Sequence, residues 1–180
     1  MNNDVIIRDA QISDAEEILA IYRPYVEQTA ISFELQAPGL EEMSRRIEKI
    51  SSTHPYLVLV SDGRICGYTY AGPLKSRPAY RASVETTIYV AGQQREKGYG
   101  RALIQALEER LLAQGFTNMY ASIAFPRSED EYLDLSSFKF HAAMGFDLVG
   151  HFHGCGTKFG HVYDIVWMEK ILGNAADDQD

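Results

Sequence analysis

Cysteine is scarce in this chain: Cys66 and Cys155 are the two among 180 residues. Two thiols cannot build a disulfide framework and are too sparse for a thiolate zinc site, so reduced cytosolic thiols are expected. Basic charge is also short. Seventeen Lys and Arg against 25 Asp and Glu leave a net charge of −8, which excludes the broad basic surface that sequence-independent nucleic-acid binding needs. Long apolar runs are missing too, and none approaches the about 20 residues that cross a bilayer. The opening MNNDVIIRDA has neither the basic start nor the apolar core of a secretory signal. No internal repeat, interdomain linker or low-complexity tract interrupts the chain. These absences point to a cytoplasmic protein with no nucleic-acid or membrane partner. One domain is expected over 1–172, followed by a polar, disordered tail over 173–180.

What is present is an ordinary globular composition, 46% hydrophobic and 23% charged, with clear periodicity. Val5 to Arg8 reads as a strand. Ser13-x-x-Glu16 reads as a capping box opening a helix to about Tyr25, with Ile18, Ile21, Tyr22 and Tyr25 on one face. Gln28 to Pro38 reads as a loop, and Leu40, Met43, Ile47 and Ile50 mark a second amphipathic helix. Strands over Tyr56–Val60 and Arg64–Ala71 meet at Asp62-Gly63, a hairpin signal. A basic loop over Gly72–Arg77 precedes a strand over Ala82–Val90. A helix over Gly98–Gln114 ends at Gly115, then a strand covers Asn118–Ala124. An acidic loop follows over Pro126–Leu135, then a short helix over Ser136–Ala143 and strands over Asp147–Phe152 and Tyr163–Lys170. This order implies an α/β fold with a mixed sheet.

The richest stretch is Val84 to Leu103, VETTIYVAGQQREKGYGRAL. It joins an apolar strand to a glycine loop that opens a helix. Gly98 and Gly100 permit a sharp turn and close approach of a ligand. The first helical amides have no intrahelical partner and sit at the positive end of the dipole, which suits an anion. Arg95, Lys97 and Arg101 reinforce that charge in an acidic chain. A dinucleotide fingerprint would place a third glycine where Leu103 stands, and a P-loop would close on Gly-Lys-Ser/Thr rather than Gly100-Arg101-Ala102. Both are excluded. Glu85 is the one acid between Val84 and Val90, and partial burial there would raise its pKa toward that of a useful base.

Arg95-x-x-Gly98-x-Gly100 after an apolar strand resembles the acetyl-CoA loop of the GNAT superfamily of N-acetyltransferases. VETTIYV, the upstream AGPLKSRPAY and the downstream FHAAMGF resemble its phosphinothricin and methionine-sulfoximine acetyltransferase branch, and the likeness runs from VIIRDAQISDAEEILAIY to VWMEKIL. The resemblance implies the GNAT fold: a mixed, mostly antiparallel central sheet with helices on both faces. It implies acetyl-CoA as co-substrate, no metal, a small-molecule amine acceptor and a homodimer. It places a catalytic glutamate at Glu85 and, at His141, a proton donor to the departing thiolate or a residue packed beside CoA. Ile88, Tyr89 and Val90 would line the pantetheine arm. Arg95, Glu96, Lys97, Gly98, Tyr99, Gly100 and Arg101 would hold the pyrophosphate, and Ser137, on one helical face with His141, would touch CoA.

For the acceptor the resemblance brings together Phe33-Glu34, Lys75-Ser76-Arg77 with Tyr80, and Thr86-Thr87. Lys75 and Arg77 suit a carboxylate, phosphinate or sulfone; a solvated basic loop is the structural alternative. Two departures from the branch pattern stand out. Leu74 and Val162 replace common aromatics, and the long FPRSEDEYLDLS replaces a short Asn-containing loop, leaving Asp134 as nearest counterpart. His151, His153 and His161 cluster with Cys155 at a spacing that matches no familiar zinc pattern. The expected activity is direct transfer of acetyl to a small α-amino compound of the phosphinothricin or methionine sulfoximine/sulfone type. Acetylation of a polyamine or a protein N-terminus, and a non-catalytic acyl-CoA sensor, are the alternatives.

Overall fold

The computed structural model describes residues 5–94 and 97–173. Eleven elements follow one another: β1 (Val5–Asp9), α1 (Ala15–Gln28), α2 (Leu40–Ser51), β2 (Tyr56–Ser61), β3 (Arg64–Pro73), β4 (Ser83–Val90), α3 (Tyr99–Ala113), β5 (Asn118–Phe125), α4 (Ser136–Ala143), β6 (Asp147–Lys158) and β7 (His161–Ile171). The seven strands form one sheet in the order β1-β2-β3-β4-β5-β7-β6. Every neighbouring pair is antiparallel except β4 and β5. The mixed, mostly antiparallel sheet is the one expected. Apart from Gly173, the tail over 173–180 lies outside the described residues, as do Arg95 and Glu96.

Side-chain alternation builds a core on each face of the sheet. On one face Val58, Ile65 and Tyr68 pack against Ile18, Tyr22 and Val26 of α1 and Met43 and Ile47 of α2. On the other, Leu57, Ala71, Val84, Met119, Val166 and Met168 pack against Ile104, Leu107 and Leu111 of α3. Each such aliphatic side chain contributes about 1.5–3 kcal/mol on full burial.

Local chemistry explains the boundaries. Asp62 and Gly63 both adopt positive φ, 52° and 73°, the primed turn that matches strand twist. The expected capping box at Ser13 and Glu16 is not what opens α1. Asp14 takes that place: it accepts the Gln11 N–H at 2.8 Å and a fork of two Arg8 donors at 2.7 and 2.9 Å, and the helix begins at Ala15. Glu16 is exposed, while Glu17 accepts the Ile65 N–H at 2.9 Å. The helix also continues through Pro24 to Gln28. Burial of Tyr25 and Val26 beyond the proline offsets the roughly 3 kcal/mol it costs. In α2 Leu40 is exposed, so the buried face starts at Met43.

The last two strands are longer than their composition suggests. The expected strands end at Phe152 and begin at Tyr163, yet Gly156, Thr157 and Lys158 pair with Tyr163, Val162 and His161. Phe159 and Gly160, at φ 53° and 79°, form the hairpin turn.

Candidate active site

The site begins where a ladder stops. The parallel pairing of β4 with β5 runs Ser83–Asn118, Val84–Met119, Glu85–Tyr120 and goes no further. Beyond it β4 stays paired to β3 as far as Val90, and β5 to β7 as far as Phe125. The two strands therefore diverge and leave a wedge between residues 86–90 and 121–125. Thr86 closes the ladder by donating its hydroxyl to Tyr120 O at 3.1 Å. A cavity of about 80 Å³ occupies the wedge, lined by residues 85–89 and 121–124 with Ile31, Ser137 and His141. Strand edges that leave each other present backbone donors and acceptors to whatever enters.

This cavity adjoins a larger groove of about 620 Å³, with Ile31, Ile88, Ser137 and His141 common to both. One wall is the start of α3. Gly98 caps it at φ 80°, a conformation costly for any residue with a Cβ. Gly98, Tyr99, Gly100 and Arg101 line the groove together with Val90 and Ser137. The Tyr99 hydroxyl reaches Ser61 Oγ at 3.2 Å and fixes the helix to β2. Among the described residues, the first bond at this helix start runs from Ala102 N to Gly98 O; the amides of a helix's first turn have no intrahelical partner and suit an anion. Lys97 is exposed and does not line the groove.

Glu85 and His141 both line the wedge cavity. Burial pushes the Glu85 carboxyl above the usual carboxylate range, and the charge of Lys75 partly offsets the rise. His141 is 5% exposed. Burial lowers its pKa, and its Nδ1 meets Ser137 O at 2.8 Å, which offsets part of that. A carbonyl can only accept, so Nδ1 carries the hydrogen and Nε2 of the neutral ring carries a lone pair. Two titratable groups shifted toward their neutral forms in one cleft mark a site for proton handling.

The expected acceptor residues divide. Thr86 and Thr87 line the wedge. Lys75 lies close enough to influence Glu85 and sits 5.9 Å over the Trp167 ring. Phe33 is half-buried, with its ring 6.2 Å from that of Tyr163. Glu34 accepts from Arg46 at 2.6 Å. Ser76, Arg77 and Tyr80 are exposed on the connection between β3 and β4 and line neither cavity, so the structure does not bring them to Glu85.

The groove also contains residues that sequence reasoning missed: Tyr25, Gln94, Ser136 and Phe140. Asp134, named above as the counterpart of the branch's asparagine, lines it too. Ser136 and Phe140 could have been found from their helical spacing around Ser137 and His141. Tyr25 carried no such signal, because its hydroxyl reaches Val90 O only through the fold.

Residues 7–167 match the family model described as an acetyltransferase (GNAT) domain. The chain is 32% identical over 173 residues to a phosphinothricin N-acetyltransferase of Streptomyces coelicolor, covering 94% of this chain and 97% of that one. It is 35% identical over 169 residues to an L-methionine sulfoximine/L-methionine sulfone acetyltransferase of Pseudomonas aeruginosa, covering 92% and 94%. Among solved structures, a phosphinothricin acetyltransferase of Sinorhizobium meliloti in complex with AcCoA superposes with a TM-score of 0.86 at 35% identity, covering 94% of this chain and 89% of that one.

Proposed function

This chain belongs to the GNAT acetyltransferase family, and on that premise we propose that it acetylates the amine of a small amino-acid-like acceptor, of the phosphinothricin or methionine sulfoximine/sulfone type, by direct attack in a ternary complex. The observation that carries the reading is the end of the β4–β5 ladder at Glu85. It leaves a carboxyl with a raised pKa at the mouth of a wedge that adjoins an anion-suited groove.

Acetyl-CoA supplies the activated acyl group as a thioester. The groove residues fit it. The start of α3, Gly98 to Arg101, would bind the pyrophosphate through free amides and the helix dipole. Arg95, Glu96 and Lys97 complete that loop in sequence. The free edge of β4 at Ile88, Tyr89 and Val90 would hydrogen-bond the pantetheine arm. Glu85 would take one proton from the acceptor ammonium, directly or through one water; the nitrogen lone pair would then attack the acyl carbon, the carbon–sulfur bond would break, and the departing thiolate would take the second nitrogen proton as the amide forms. His141 is neutral with its lone pair on Nε2, which supports packing beside the sulfur rather than donating a proton to it. Thr86 and Thr87, which line the wedge, and Lys75, whose charge acts on Glu85, are the acceptor contacts best supported by position, with Phe33, Ser76, Arg77 and Tyr80 outside the two cavities' linings. No covalent enzyme intermediate is required.

A homodimer is part of the proposal, supported by exposed Leu148, Val149 and Phe152 on the edge strand β6. A cytoplasmic location fits the two free thiols. No described helix is long and apolar enough to cross a membrane.

The test is thiol release from acetyl-CoA across a panel of amino acids and their analogues, with Glu85→Gln in parallel. Loss of a general base should lower kcat by about 10²–10⁴-fold with acetyl-CoA affinity unchanged. Undiminished turnover by Glu85→Gln would refute the base. Tight acetyl-CoA binding with no turnover on any amine would overturn the enzyme reading in favour of a sensor.

A further inference from the structure

Away from the wedge, the β6–β7 hairpin brings two imidazoles and a carboxylate together. His151 and His153 lie two residues apart on β6, with His153 in the irregular stretch where the pairing with β7 is interrupted between Phe152 and Gly156. Asp164 on β7 meets both. His151 Nε2 lies 2.8 Å from Asp164 Oδ2, and His153 Nδ1 lies 3.2 Å from the same oxygen. The three atoms lie within 4.8 Å of one another. The other oxygen, Oδ1, accepts from Arg127 Nε at 2.8 Å and from the Gly154 N–H at 2.6 Å. The carboxylate is thereby clamped, with Oδ2 turned to the rings. Phe125 packs edge-on against the His151 ring, at 5.4 Å between centroids. None of these residues lines the wedge cavity.

We propose that His151, His153 and Asp164 form a site for one transition-metal dication of the Zn²⁺ type, with water completing its coordination. Two imidazole nitrogens and one carboxylate oxygen are the donor set such ions select, whereas Mg²⁺ and Ca²⁺ favour oxygen alone. The strand pair presets the three ligands, and Arg127 and Gly154 supply the outer contacts that orient a ligating carboxylate. Arg127 adds one positive charge beside the ion. It does so in a chain of net charge −8. Without metal, Oδ2 is shared between two ring N–H donors.

The test uses the tag-free full chain, stripped with a chelator and titrated with Zn²⁺ by calorimetry and with Co²⁺ by visible absorption. One ion per chain is expected, with a raised melting temperature in Zn²⁺. His153 is 70% exposed, so His153→Ala should fold normally while weakening binding by about tenfold or more. The His151→Ala/His153→Ala pair should abolish binding and the thermal shift. His161→Ala and Cys155→Ser should leave both unchanged. No saturable uptake of either ion by the wild-type protein, or uptake undiminished in the double variant, would overturn the proposal.

Discussion

Gly156→Ala is the sharpest probe of how the acceptor loop is held. Gly156 lies on β6 opposite Tyr163, and its backbone does not occupy the left-handed region. Alanine therefore meets no conformational obstacle, and any effect is steric. A Cβ at this position would stand 2.0 Å from Phe33 Cε2, 2.6 Å from Cζ and 2.7 Å from Cδ2. Carbon atoms settle at about 3.5–4.0 Å, so the ring must move by about 1.5 Å or more. Forcing such a shift in a packed region costs about 1–3 kcal/mol, read by urea denaturation. In a Phe33→Ala background the clash partner is gone, so the same substitution should cost close to nothing. If Phe33 contacts the acceptor, Gly156→Ala also raises the acceptor KM and leaves the KM for acetyl-CoA unchanged. Equal destabilisation in both backgrounds would refute the steric argument. Parallel changes in both KM values would refute the placement of Phe33 on the acceptor side.

Glu85 links activity to stability. Its carboxyl holds a proton more tightly in the folded chain than in the unfolded one, because burial outweighs Lys75. Rising pH between the ordinary value of 4.5 and the raised one therefore favours unfolding, and the cost persists at neutral pH. Glu85→Gln should melt higher than wild type at pH 7 and lose that advantage below the ordinary carboxylate value, as thermal scans across pH would reveal. Lys75→Met removes a stabilising charge, so the acid limb of kcat/KM should move to higher pH; an unmoved limb would detach Lys75 from Glu85. Lys158 is buried and donates to Ser32 O at 2.6 Å. Lys158→Met deletes a charge-assisted bond worth about 1.5–3 kcal/mol, less the desolvation that the buried amine no longer bears. It should lower the urea midpoint and raise the acceptor KM selectively.

Elements with strong local signals were legible in the sequence. The strand over Ala82–Val90, the Asp62-Gly63 hairpin and the boundaries of α4 all follow from period and turn chemistry. So did the groove wall from Gly98 to Arg101 and the partnership of Ser137 with His141. What escaped depends on contacts distant in sequence. Asp14 outcompetes Ser13 at the start of α1 because Arg8 supplies its fork. The glycine-bearing end of β6 becomes strand because β7 pairs with it. Arg77 carries the right charge for an anionic acceptor, yet the connection after β3 holds it in solvent, and no local pattern reports on that.

The acceptor is the least legible feature for the same reason. Phe33 and Glu34 owe their positions to remote partners: Lys158 and the Tyr22 hydroxyl at Ser32, Arg46 at Glu34, and the space above Gly156. The long loop over 126–135 joins this arrangement. It is a folded strap rather than a solvated acidic run, since Asp130 accepts from the Tyr132 and Leu133 amides and from the Tyr163 hydroxyl. Tyr132 O takes the Ala30 N–H at 3.0 Å, while Asp134 lines the cofactor-sized groove. One insertion therefore touches the acceptor loop at one end and the groove at the other. A change in its length should therefore shift both neighbourhoods at once, and on the proposed function a shortened strap is expected to alter the KM for the acceptor and for acetyl-CoA together.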